Sequence, residues 1–221
     1  MSLAIFDLDN TLLDGDSDYL WGEFLVEQNI VDGQIYRQKN DQFYSAYKAG
    51  TLDIYDFLKF SLAPLTQFSL AELAVLHNQF MAEKIVPIML PKAYQLLDNH
   101  KIKKDYLVII TATNQFVTQP IADRFGVHEL IATEAEIKDG RYTGKVKGIP
   151  CFQQGKVTRL NEWLKLNHHN LEDSWFYSDS HNDLPLLELV THPVAVDADP
   201  VLLQYANNHG WQTMSLKGDS D

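Results

Sequence analysis

The chain has 221 residues, 45% hydrophobic and 22% charged, a balance that excludes disorder and collagen-like repeats and allows one sizeable core with or without an insertion. Lys plus Arg number 18 against 30 Asp plus Glu, and the resulting formal charge of −12 argues against nucleic acid as a partner. No apolar run approaches the roughly 20 residues of a membrane span, so no membrane insertion is expected; with no basic-then-apolar leader and a single cysteine, Cys151, the expected location is cytoplasmic.

Leu3-Ala4-Ile5-Phe6 is an apolar run that stops at acidic and turn-forming residues, the pattern of a short buried parallel strand opening into a site. From Ser17 to Val86 the spacing becomes helical and rich in aromatics such as Trp21, Phe24, Phe43 and Phe57, with breaks at Gly50-Thr51 and Ala63-Pro64. This predicts a small helical bundle whose rings serve packing. A helix over Lys92–His100, a strand over Tyr106–Ile110, a helix over Gln115–Phe125 and a short strand near Leu130–Thr133 follow. Lys138-Asp139-Gly140 predicts the turn of a hairpin within Glu136–Lys147. The remainder reads as a helix from about Gly155 to Leu166, strand Ser174–Ser178, helix Leu184–Val190, strand Pro193–Val196, helix Pro200–His209 and strand Trp211–Ser215, with Lys217–Asp221 expected to fray. Such alternation predicts an α/β fold, a parallel sheet covered by helices on both faces, with ligands at the C-terminal strand edge. The helical segment interrupts it, giving a discontinuous core of residues 1–16 and 87–221 and a helical domain of residues 17–86.

Asp7-Leu8-Asp9-Asn10-Thr11 sets two carboxylates two residues apart at the end of the first strand, where both project to one side. One can attack phosphorus while the other serves as acid and base, although a strand end followed by an Asx turn has the same pattern. Tyr177-Ser178-Asp179-Ser180-His181-Asn182-Asp183 supplies a second acidic pair after another apolar run. Carboxylates gathered at one edge call for a cation, and an all-oxygen set suits Mg²⁺. Thr111, after Leu107–Ile110, and Lys156, at a helix start, offer a hydroxyl and an ammonium to a phosphate. Gly148 to Gly155-Lys156 is not a P-loop: six residues part the glycines, and Val157 stands where Ser or Thr is needed.

Taken in order, Asp7-x-Asp9-x-Thr11, Thr111, Lys156 and Asp179 with Asp183 resemble the haloacid dehalogenase superfamily of phosphohydrolases, over nearly the whole chain. The helical insertion and the Gly140-Arg141-Tyr142-Thr143-Gly144 hairpin are similar to its phosphoserine phosphatase-like branch. The resemblance implies a Rossmann-like sheet with a helical-bundle cap, Asp7 as nucleophile, Asp9 as general acid/base, and Thr111 and Lys156 on the phosphate, with Asn182 also counted as substrate-binding. Mg²⁺ would be held by Asp7, the Asp9 main-chain carbonyl and Asp179, with Asp183 supporting the metal or Lys156. Ser178 and Thr111 depart from the Gly and Ser common in the family, and neither removes a ligand.

The implied activity is hydrolysis of a small phosphate ester through an aspartyl-phosphate; a phosphotransferase or mutase, or an idle phospho-ligand sensor, are the alternatives. Asp16 stands where phosphoserine phosphatases place an acid against the substrate ammonium, and capping of the helix from Ser17 is its other reading. Ser61 stands where an arginine would grip the phosphoserine carboxylate. An amine-bearing ester without that carboxylate, such as histidinol phosphate, is therefore favoured over phosphoserine, and the oligomeric state stays open.

Overall fold

The computed structural model of the protein describes residues 2–218. Its strands are β1 (Leu3–Phe6), β2 (Tyr106–Asn114), β3 (Glu129–Lys138), β4 (Arg141–Lys147), β5 (Trp175–Ser178), β6 (His192–Val196) and β7 (Gln212–Met214). They form one sheet in the order β4-β3-β2-β1-β5-β6-β7, parallel throughout except for the β3/β4 hairpin. Successive strand side chains point to opposite faces. Ala4, Phe6, Leu107, Ile109 and Tyr177 therefore enter one apolar cluster, and Leu3, Ile5, Val108, Ile110 and Phe176 enter the other. With both faces buried, β1 needs apolar residues at every position, which is why it reads as an unbroken run.

Four helices follow β1: α1 (Ser17–Glu27), α2 (Gly33–Lys48), α3 (Ile54–Leu62) and α4 (Leu70–Phe80). Each begins at a side-chain cap, Asp16, Asp32, Asp53 and Ser69 in turn, the last a capping box with Glu72. α5 (Pro91–Ile102) and α6 (Gln115–Phe125) share their face of the sheet, while α7 (Gln154–Asn167), α8 (Leu184–Leu187) and α9 (Pro200–His209) cover the other. Trp21 of α1 joins the inserted helices to the sheet-covering layer, its ring 5.1 Å from Phe80 and 5.2 Å from Phe116 of α6.

The α/β sheet and the helix interruption after β1 are as the alternation predicts, and the differences lie at element ends. β2 runs to Asn114 instead of Ile110, because past an irregularity it resumes pairing with β3 at Thr133. The helix expected over Leu184–Val190 is a single turn, preceded by a 3₁₀ turn at His181–Asp183; the Leu189 N–H already bonds back to Leu186 as the chain bends toward β6. Lys217, expected to fray, is tied: its N–H donates to Asp197 and its carbonyl accepts from Lys92, while residues 219–221 lie outside the described range.

Candidate active site

Register brings the sequence motifs together. Phe6 sits opposite Ile109 on one side and Tyr177 on the other, so Asp7, Thr111 and Asp179, one or two residues further on, emerge at the same sheet edge. β1 lies between β2 and β5, where the strand order reverses, and a crevice opens at such a switch point.

Lys156 reaches this crevice from the first turn of α7, and Gly155 makes that approach feasible: a Cβ there would meet the Pro150 carbonyl oxygen at 2.1 Å. Buried Lys156 donates to Asp7 Oδ1 at 2.7 Å and to Asp183 at 2.8 Å. Ser178, in place of the family's common glycine, donates its hydroxyl to the same Asp183 at 2.7 Å. Asp183 and Lys156 are thus in direct contact.

Asp9 lies in a different environment. Its Oδ1 accepts the Ser17 N–H at 2.7 Å and its Oδ2 the Thr113 hydroxyl at 2.8 Å. Thr111 is buried, and its hydroxyl oxygen accepts the Thr113 N–H at 3.2 Å. Asp16 accepts the Tyr19 N–H at 2.8 Å as the cap of α1 and lines the same cavity as Asp7 and Asp9. The Asn182 amide nitrogen donates to the Tyr47 carbonyl at 3.1 Å and its oxygen accepts from Gln153 at 2.9 Å, which ties the end of α2 to the loop after β5.

Burial raises Asp7 to about 7, against the pull of Lys156 and with Asp183 adding to the rise. Burial also raises Asp9 to about 6, helped by the charge of Asp16 and opposed by the Ser17 and Thr113 hydrogen bonds. Asp179 stands well above the usual carboxylate range through burial, then through Asp7 and Asp183. For Lys156, burial opposes the charge, but Asp183 and Asp7 outweigh it and raise the ammonium above its ordinary value. The lysine is thus held charged between two acids.

Crowded carboxylates of this kind fit a hard cation. Thr11 Oγ1 lies 3.3 Å from Asp7 Oδ2 and 3.2 Å from Asp179 Oδ1, so an oxygen of each acid lies beside the same hydroxyl. Among the described residues no three His, Cys, Asp or Glu side chains form a closed metal cage. Two carboxylates completed by substrate and water oxygens is the open set that Mg²⁺ takes.

Three residues of this site had no role assigned from the sequence. Thr11 stands inside the first motif, and its tie to Asp179 joins β1 to β5. Thr113 was legible by period: two residues after Thr111 in an extended chain, it faces the same side. Asp18 reads as an ordinary acid complementing the dipole of the first turn of α1. It lines the cavity with Asp9 and Asp16, which holds about 560 Å³ of empty space, part of it open to solvent.

A doubly covered α/β sheet with acids and one buried lysine gathered at its switch point defines a class of ligand-processing enzyme. The chain belongs to the haloacid dehalogenase-like hydrolases, whose family model matches residues 4–188. It is 44% identical over 220 residues, 98% of this chain and 99% of the relative, to a histidinol-phosphatase of Neisseria meningitidis serogroup C (strain 8013). It is 31% identical over 219 residues, 97% of this chain and 70% of the relative, to a phosphoserine phosphatase of Mycobacterium tuberculosis. A crystal structure of a protein with unknown function from Bordetella pertussis Tohama I superposes with a TM-score of 0.92 at 44% identity, covering 98% of this chain and 99% of that one. A phosphoserine phosphatase solved as a phospho-aspartyl intermediate analogue shares the fold, with a TM-score of 0.69 at 20% identity and coverage of 99% and 94%.

Proposed function

We propose that the protein is a phosphatase that hydrolyses a small amine-bearing phosphate monoester, histidinol phosphate foremost, through an aspartyl-phosphate on Asp7. The observation that carries this reading is the contrast between two neighbouring acids: Asp7 is held 2.7 Å from buried Lys156, and Asp9 is hydrogen-bonded only by neutral donors. Carboxylates in such different settings suit different roles. Asp7 attacks phosphorus while Asp9 gives its proton to the departing alkoxide oxygen; a P–O bond to Asp7 forms as the ester P–O bond breaks. Asp9 then takes a proton from the water that cleaves the acyl-phosphate, restoring Asp7 and releasing phosphate. Lys156 offsets charge on the phosphoryl oxygens, and the Thr111 hydroxyl orients one of them. Mg²⁺ bound by Asp7, Asp179 and the Asp9 carbonyl would supply further charge neutralisation.

Residues 17–86 serve in this reading as a cap that selects the alcohol. Two points favour an ester without a carboxylate: the resemblance to phosphoserine phosphatases puts Ser61, which is buried, where their carboxylate-gripping arginine would stand, and the relative at 44% identity is named a histidinol-phosphatase. Phosphate release from histidinol phosphate, phosphoserine and glycerol 3-phosphate, measured with Mg²⁺ and with EDTA, tests the proposal. Histidinol phosphate is expected to give the highest kcat/KM, EDTA to abolish release and Mg²⁺ to restore it, and Asp7→Asn to lose at least about 10⁴-fold. Full activity of Asp7→Asn would remove the nucleophile, and phosphorylated acceptor without free phosphate would replace hydrolysis by transfer.

A further inference from the structure

We infer that Asp18, and not Asp16, is the anionic anchor of a cation subsite that receives the protonated nitrogen of the substrate's alcohol portion; this rests on the reading of the protein as a phosphatase of an amine-bearing ester. The starting observation is an oxygen with nothing to bond. Asp18 is 8% exposed, and among the described residues no donor reaches its Oδ2. A buried carboxylate oxygen without a donor is costly, and native structures keep few of them. Asp16, two residues earlier, has no such deficit, since it accepts the Tyr19 N–H at 2.8 Å as the cap of α1.

Position assigns the missing donor to a ligand. Asp18 lines the cavity that also exposes Asp7 and Asp9, so a molecule whose phosphorus meets Asp7 and whose ester oxygen meets Asp9 extends its alcohol portion along the wall that holds Asp18. Phe43, Tyr44 and Phe57 line the same cavity, and aromatic faces attract cations, the more strongly when desolvated. The lysine of the site is already shared between Asp7 and Asp183. Burial, then the charges of Asp16 and Asp9, raise Asp18 well above the usual carboxylate range, and a cation beside it reverses that rise. An ammonium or imidazolium group supplies both the N–H and the charge that Asp18 lacks.

The test compares histidinol phosphate with glycerol 3-phosphate, an ester of a neutral alcohol, on the full chain with Mg²⁺. Asp18→Asn is expected to lower the ratio of their kcat/KM values by about 10- to 100-fold, the range of a lost charged hydrogen bond, through KM for the amine-bearing ester more than through kcat. Its melting midpoint should not fall, because a buried carboxyl oxygen without a donor is being removed; Asp18→Ser, which removes the carboxyl without adding bulk, must show the same fall in selectivity. Asp16→Asn keeps the cap and should change the ratio little. A ratio unchanged in Asp18→Asn and Asp18→Ser, or one that falls only in Asp16→Asn, overturns the subsite while leaving the substrate reading intact. A wild-type protein that does not prefer histidinol phosphate overturns the substrate reading, and the subsite with it.

Discussion

The acids at and behind the cavity are held under opposite conditions at two places. At the reacting end, Asp7 and Asp183 share a lysine 2.7 and 2.8 Å away, and the Ser178 hydroxyl completes Asp183. At the α1 end, Asp16 has backbone N–H groups and Asp18 has an oxygen with no partner among the described residues. Both ends gather negative charge, and only one carries its own cation. The difference teaches where recognition has been left open: the acids of the reacting end have a cation of their own, and the α1 end, in the proposed reading, takes one from the alcohol.

The comparison breaks most visibly at Asp9, which stands between the ends. Asp9→Asn is expected to cost about 10²- to 10⁴-fold in kcat/KM on histidinol phosphate, the usual contribution of a positioned general acid. On p-nitrophenyl phosphate, whose leaving group departs without a proton, the loss should be far smaller, because kcat/KM reports the transfer to Asp7 alone. Equal losses on both esters would take the acid role away from Asp9.

Lys156→Met tests the reacting end by stability. It strands Asp7 and Asp183 without their cation, and removing one partner of a buried ion pair costs about 3–5 kcal/mol. Denaturant melts in EDTA should show that loss, whereas Asp18→Asn in the same melts should show none. If the two variants fall equally, the contrast between the ends is wrong.

The smallest effect concerns the layer beneath the cavity. His77 of α4 is buried among aromatic rings and donates Nε2–H to the Val117 carbonyl at 2.9 Å, which leaves its Nδ1 without a partner. Burial lowers its pKa below the ordinary value. Below about pH 6.5 the unfolded chain takes up a proton at this position that the native state refuses, so stability falls with pH until the lowered native value is passed, by at most about 1.4 kcal/mol per pH unit. His77→Gln keeps a donor and removes the titration. Melts at pH 7.5 and 5.5 should therefore show a smaller acid-side loss in the variant, and an identical loss would assign the acid sensitivity to other groups such as His100.

Elements bounded by local chemistry were legible in the sequence. Gln115–Phe125 begins after the Asn114 cap and ends at Gly126, and Pro200–His209 lies between the Asp199 cap and Gly210, so period and caps agree at both ends. The length of β2 was not legible, because its continuation to Asn114 depends on pairing with Thr133 of another strand. Nor was the short α8, whose end is set by the approach to β6. Within the site, Asp7, Asp9, Thr111, Lys156 and Asp179 come to one edge because each follows an apolar run or opens a helix. The hydrogen bonds of Asn182 to Tyr47 and Gln153 were not legible, since loop direction after a strand is not encoded in its spacing.

By itself the sequence determined which residues stand at the strand ends and in what order, because an acid after a buried apolar run is a local feature and the register of a parallel sheet does the rest. Only the tertiary structure decided which acid receives a cation. Lys156 meets Asp7 across 149 positions of chain, and Asp18 Oδ2 is left without a donor among the described residues where α1 borders the cavity; neither distance nor burial of that kind is written in residue spacing.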